Sequence, residues 1–148
     1  MTETYQGRPI LPGEYSGEAL VSRQGFNTLA SFQMSLVLRL KTATCGDQNN
    51  PDMYKKVMTG KILCLPQTIG STAGGLVIQT IAQIGNGPLA MLFSERVDSL
   101  AAGGAILADI WVGKRIYVVD NLGSSFLARV RDGDRLRVYP DGRVEVGI

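Results

Sequence analysis

Five apolar runs between Lys61 and Val119 alternate in kind, and this alternation restricts the fold more than any other feature of the chain. Lys61–Leu65, Pro88–Phe93 and Arg115–Val119 are short and read as buried strands, whereas Thr72–Ile84 and Val97–Ala108 are longer and read as helices. In the first helix Leu76, Val77, Thr80, Ile81 and Ile84 form one mostly apolar stripe, and Gly85 and Gly87 supply the stop. Strands alternating with helices need crossover connections, which implies a partly parallel sheet. The two ends depart from this pattern. Leu136–Tyr139 and Arg143–Val146 flank Pro140-Asp141-Gly142, a hairpin signal, so an antiparallel piece closes the domain. Gly7–Gly13 followed by Glu14–Val21 suits strands near the entry to the sheet, and residues 22–40 mix polar and apolar groups, with an alternating stretch over Met34–Leu38. A polar loop from Thr42 to Asp52 follows. No repeat, low-complexity tract or linker divides the chain, so residues 1–148 are expected to form a single domain.

Several function classes fall away on composition. A length of 148 residues allows a real core, and 45% hydrophobic against 19% charged residues marks a globular chain. The net charge of +2 is too small to argue for nucleic acid or an anionic membrane. No apolar run reaches the roughly 18 residues needed to span a bilayer, and the start, MTETYQGRP, carries no hydrophobic leader, so a cytoplasmic location is expected. There is no histidine at all, which rules out a phosphohistidine carrier, a Ser-His-Asp triad or a His-ligated zinc built from this chain alone. Two cysteines make neither a disulfide framework nor a complete metal cage. Cys64, inside a strand, reads as a small buried hydrophobe, and Cys45 lies in the polar loop.

The junction between the first strand and the first helix, Leu65-Pro66-Gln67-Thr68-Ile69-Gly70-Ser71-Thr72-Ala73-Gly74-Gly75, is where chemistry is expected. A helix start leaves N–H groups unpaired and partly positive, which suits a carboxylate or phosphate. Gly70 allows a sharp turn or close approach to a ligand, and Ser71 or Thr72 suits an N-cap. Gly74 and Gly75 each cost about 1 kcal/mol in a helix relative to alanine, so close packing or ligand approach is expected to compensate. The stretch is not a P-loop, because the Lys-Ser/Thr ending is missing, and it lacks the Gly-x-Ser-x-Gly of a nucleophile elbow. Gly85-Asn86-Gly87-Pro88-Leu89-Ala90 follows a helix and precedes a strand, the wrong order for a dinucleotide fingerprint.

Three blocks together give the chain a family resemblance: Gly7-Arg8-Pro9-Ile10-Leu11-Pro12-Gly13 with Gly17-Glu18-Ala19-Leu20, then Gly60–Pro66 leading to Gly70-Ser71, and the late Gly133-Asp134-Arg135-Leu136-Arg137-Val138. In their order and spacing they resemble the small subunit, or swivel domain, of the aconitase X family over nearly the whole chain. The resemblance implies an α/β fold of the swivelling β/β/α kind, a mixed sheet with flanking helices and an antiparallel β layer. It also implies dehydration of a small hydroxy acid in company with a large aconitase-like subunit, which would supply an iron or iron–sulfur site; no cofactor or metal is expected on this chain alone. The family's base maps onto Ser71, with Gly70 and Thr72 beside it as substrate-binding residues.

Within the resemblance two substrates compete. The family divides between cis-3-hydroxy-L-proline and mevalonate 5-phosphate. Aconitases proper carry an arginine two residues beyond the serine, where this chain has Ala73, which argues against tricarboxylic substrates. No charged residue lies between Lys61 and Glu95, and Ile69 stands where the phosphate-using branch is expected to carry arginine. Phosphate is usually met by such cations. The expected substrate on this reading is cis-3-hydroxy-L-proline, giving Δ1-pyrroline-2-carboxylate; the alternatives are mevalonate 5-phosphate or a noncatalytic anion-binding module.

Overall fold

A computed structural model describes residues 2–70 and 72–147. Among these residues ten strands and four α-helices follow in the order β1 (Glu3–Gln6), β2 (Arg8–Leu11), β3 (Tyr15–Val21), β4 (Phe26–Asn27), α1 (Thr28–Val37), β5 (Ile62–Leu65), β6 (Thr68–Ile69), α2 (Gly74–Ile84), β7 (Ala90–Phe93), α3 (Ser99–Leu107), β8 (Tyr117–Asp120), α4 (Ser124–Arg129), β9 (Arg135–Val138) and β10 (Arg143–Val146). Helix α3 runs on into a single π-helical turn over Ala108–Val112.

Eight strands form one sheet in the order β1-β10-β9-β3-β5-β7-β8-β2. Its centre is parallel, with β3 beside β5, β5 beside β7 and β7 beside β8, while β9 and β10 continue it antiparallel. The alternating run therefore folds as its pattern predicts. Central strands are buried on both faces, which is why they read as unbroken apolar runs. Along β5, Leu63 and Leu65 face a core shared with Phe26, Phe32, Ile78 and Ile81 of the helical side, and Ile62 and Cys64 face a second core closed by Phe126, Leu136, Val138 and Val144. These are the three layers of a β/β/α domain.

Three local points refine the sequence reading. The alternating stretch Met34–Leu38 is not extended: through Val37 it belongs to α1, whose buried face is Thr28, Ser31, Phe32 and Ser35. Helix α2 starts at Gly74, two residues later than its pattern, with Ala73 rather than Thr72 at the N-cap; Ser71, the other candidate cap, lies outside the described residues. Cys45 is buried in the helical-side core although its neighbours are polar. Gly85 does end α2, with a left-handed φ of 89° and its N–H on the Ile81 carbonyl.

Candidate functional site

The carboxyl ends of the parallel strands carry the candidate site, as is general for sheets of this type. Here three helices begin side by side. Asn27 caps α1, its Oδ1 accepting the Ala30 N–H at 3.0 Å, and Asp98 caps α3, its Oδ2 accepting the Ala101 N–H at 3.0 Å. The start of α2 lies with them. Among these ends is a cavity of about 230 Å³ lined by residues that include Thr28, Thr68, Gly70, Gly74, Asp98 and Leu100.

Gly70 is required here on two counts. Its φ of +99° belongs to the left-handed side, and a Cβ would lie 2.7 Å from Nδ2 of Asn27. A side chain at position 70 would therefore displace the cap of α1. Strand β6, which pairs in parallel with β4, delivers Gly70 to this place. Of the three candidate residues, Gly70 and Thr72 do not share one concavity. Gly70 lines the cavity, whereas Thr72 is exposed and lines the adjoining groove between α2 and α3. Ser71 lies outside the described residues.

Asp98, Thr68 and Asn27 are site residues that sequence reasoning missed. The Thr68 hydroxyl donates to Oδ1 of Asp98, tying β6 to the start of α3. Asp98 is positioned from a distance. Arg8 holds the fully buried Asp120 through two hydrogen bonds of 2.9 and 2.7 Å, and Oδ2 of Asp120 also accepts the Val97 N–H at 2.8 Å. The guanidinium of Arg8 is held above its ordinary pKa by that carboxylate. A cap signal was visible in Asp98-Ser99-Leu100-Ala101, an aspartate ahead of an apolar helix. The pairing with Thr68 was not, because thirty residues separate them.

The two glycines that open α2 have separate explanations. A Cβ on Gly75 would lie 2.6 Å from the Leu100 carbonyl oxygen, and one on Gly104 only 2.2 Å from the Gly75 oxygen. Backbone meets backbone where α2 crosses α3, so close packing is the compensation at Gly75. Gly74 has ordinary room beside Thr28 and lines the cavity.

Donors for a metal are sparse. No group of three or more His, Cys, Asp or Glu among the described residues is placed to hold a metal ion. Both cysteines are buried and free, and burial pushes the Cys64 thiol well above its ordinary pKa. One carboxylate, already bonded to Thr68 and Ala101, does not fit an iron or iron–sulfur centre. No helix among the described residues is long and apolar enough to cross a membrane.

The arrangement defines a class: a three-layer β/β/α domain that gathers helix starts, hydroxyls and one carboxylate around a small cavity. Comparison with known proteins narrows this. The model of the aconitase X swivel domain family matches residues 4–146, and the chain belongs to that family. It is 34% identical over 142 residues to the phosphomevalonate dehydratase small subunit of Aeropyrum pernix, covering 96% of this chain and 92% of that one. The protein of the same name from Pyrococcus furiosus is 34% identical over 141 residues, covering 95% and 93%. The crystal structure of Thermococcus kodakaraensis aconitase X in its holo form superposes with a TM-score of 0.81 at 28% identity, covering 97% of this chain and 98% of that one.

Proposed function

We propose that the chain is the small subunit of a hydro-lyase that dehydrates mevalonate 5-phosphate and works only when assembled with a large aconitase-like subunit. The observation that carries this reading is the shared name of its relatives, phosphomevalonate dehydratase small subunit, at 34% identity across nearly the full length. Those names favour the phosphorylated substrate over cis-3-hydroxy-L-proline. The uncharged stretch from Ile62 to Ser94 had favoured the amino acid, but it covers only part of the cavity wall. The β7–α3 loop also adjoins the cavity. It contains Arg96, which is exposed and has no ion pair among the described residues.

The reaction breaks the C–H bond next to the substrate carboxylate and the C–O bond of the neighbouring carbon. A carbon–carbon double bond and one water result. In this reading Ser71 takes the proton. Gly70, Thr72 and the start of α2 supply N–H and hydroxyl donors to the charge that builds on the carboxylate. An unperturbed serine is a weak base, so donors that stabilise its alkoxide are a chemical requirement. The leaving hydroxyl needs a Lewis acid or proton, which falls to the large subunit because the donor set here does not fit a metal.

The test is reconstitution. The chain is co-expressed with the large subunit of the same organism, and the pair is assayed by mass spectrometry for loss of water from mevalonate 5-phosphate and from cis-3-hydroxy-L-proline. Preference for the phosphate compound supports the proposal. Preference for hydroxyproline returns the substrate to the amino acid, and inertness toward both leaves the noncatalytic module as the better reading.

A further inference from the structure

Helices α1, α2 and α3 contain none of the chain's 15 Lys and Arg or 13 Asp and Glu residues. Helices that face water normally carry charge on their outer side. In α1 the usual arrangement is only partly kept: Thr28, Ser31 and Ser35 are buried beside Phe32, while Met34 and Val37 are 58% and 70% exposed. Leu76 of α2 is 65% exposed. On α3, Leu100 and Leu107 follow at a seven-residue interval, and Trp111, four residues further in the π-helical turn, is 78% exposed. Between α2 and α3 runs an open groove of about 300 Å³ lined by Leu76, Leu100 and Leu107 among others. The antiparallel β side is the opposite case, with Arg129 paired to Glu3 and Asp134, and Arg137 to Glu14.

We propose that the outer face of α2, α3 and the π-helical turn is where the large subunit docks. The π-helical turn carries Asp109, which is paired with Arg115, and a surface otherwise depleted of charge and centred on Leu and Trp has the composition of an interface core. Leu100 lines both the groove and the candidate cavity, so a chain seated in the groove reaches the cavity mouth. This decides between occupants. A second copy of this chain would bring no histidine and no further metal-donor group among its described residues, whereas a different subunit brings what the cavity lacks. The proposal rests on the two-subunit reading above.

The test measures binding without substrate, so it is independent of turnover. The full chain and the large subunit of the same organism are titrated by calorimetry, with Leu76→Glu, Trp111→Glu and, on the β side, Arg135→Glu. Melting temperatures first establish that each variant folds; Leu76→Ala and Trp111→Ala replace any that does not. The expectation is at least about a hundredfold weaker binding for each glutamate variant, or about tenfold for alanine, and at most about threefold for Arg135→Glu. Undiminished binding by both helix-face variants overturns the proposal, as does wild-type chain that does not bind at all. Self-association of the wild type that the helix-face variants abolish, with large-subunit binding intact, assigns the face to a second copy and also overturns it. A pair that binds as expected yet dehydrates nothing refutes the enzymatic reading and leaves the docking face standing.

Discussion

Replacing Gly104 by alanine tests whether the contact between α2 and α3 holds this layer together. The added methyl carbon would lie 2.2 Å from the Gly75 oxygen and 2.8 Å from the Gly75 carbonyl carbon, both backbone atoms of the neighbouring helix. Carbon contacts are ordinarily on the order of 3.5 Å, so the helices must part by roughly 1 Å or α3 must deform. Overpacking of this kind costs about 1–3 kcal/mol, and the upper part of that range, about 2–3 kcal/mol, applies here because only backbone atoms are met. Alanine recovers about 1 kcal/mol of helix propensity, so the net loss is about 1–2 kcal/mol. Gly103 is the internal control. It sits in the same helix with nothing within 4 Å of where a methyl carbon would be added, so Gly103→Ala keeps the propensity gain. At about 2–4 °C per kcal/mol for a domain near this size, Gly103→Ala should raise the melting temperature by about 2–4 °C and Gly104→Ala should lower it by about 2–8 °C. Thermal unfolding followed by circular dichroism at one protein concentration reads both. Equal behaviour of the two variants would refute the close-contact argument.

Ser71→Ala should lower turnover of the assembled enzyme by several orders of magnitude while moving the melting temperature of the chain by no more than a lost cap would, about 1 kcal/mol; steady-state kinetics beside thermal unfolding separate the two roles. The chain alone, supplied with iron, should leave both candidate substrates unchanged, which mass spectrometry of the reaction mixture checks. Arg8→Ala leaves the buried Asp120 carboxylate without its guanidinium and should cost about 2–3 kcal/mol in urea unfolding, below the usual figure for a buried pair because the Arg8 side chain is 45% exposed.

What the sequence made legible follows the strength of its periodic signals. Strands β5, β7 and β8 and helices α2 and α3 were readable because one long apolar alternation leaves few other folds, and the β9–β10 hairpin because Asp141-Gly142 marks its turn. Helix α1 was hidden because its inward face mixes Thr28, Ser31 and Ser35 with Phe32, while Met34 and Val37 point outward. A hydrophobic-periodicity argument assumes that water is the outer neighbour. Helix α4 has only six residues, too few for a periodic signal. At the site, Gly70 was legible as a turn glycine, but its companions come from elsewhere in the chain, Asn27 from the end of β4 and Asp98 from the β7–α3 loop. The Thr68–Asp98 hydrogen bond exists only once β7 lies beside β5. The expectation of hydroxyproline weighed charge along one segment only, whereas the cavity wall draws on three helix starts and the relatives' names favour the phosphorylated alternative.

Strands β1 and β2 are the two outermost members of the eight-stranded order, yet only Gly7 separates them along the chain. The sheet therefore curls until the end of β1 reaches the start of β2, although the two strands do not pair with each other. Gly7 is wedged there, with Val119, Asp120 and Leu122 all within 2.8 Å of where a side chain would begin, and its N–H bonded to the Gly142 carbonyl. Bare strand borders recruit further strands from other molecules, which is how sheet proteins aggregate. Here each of the two border strands is only four residues long, so the length of border open to such recruitment is short.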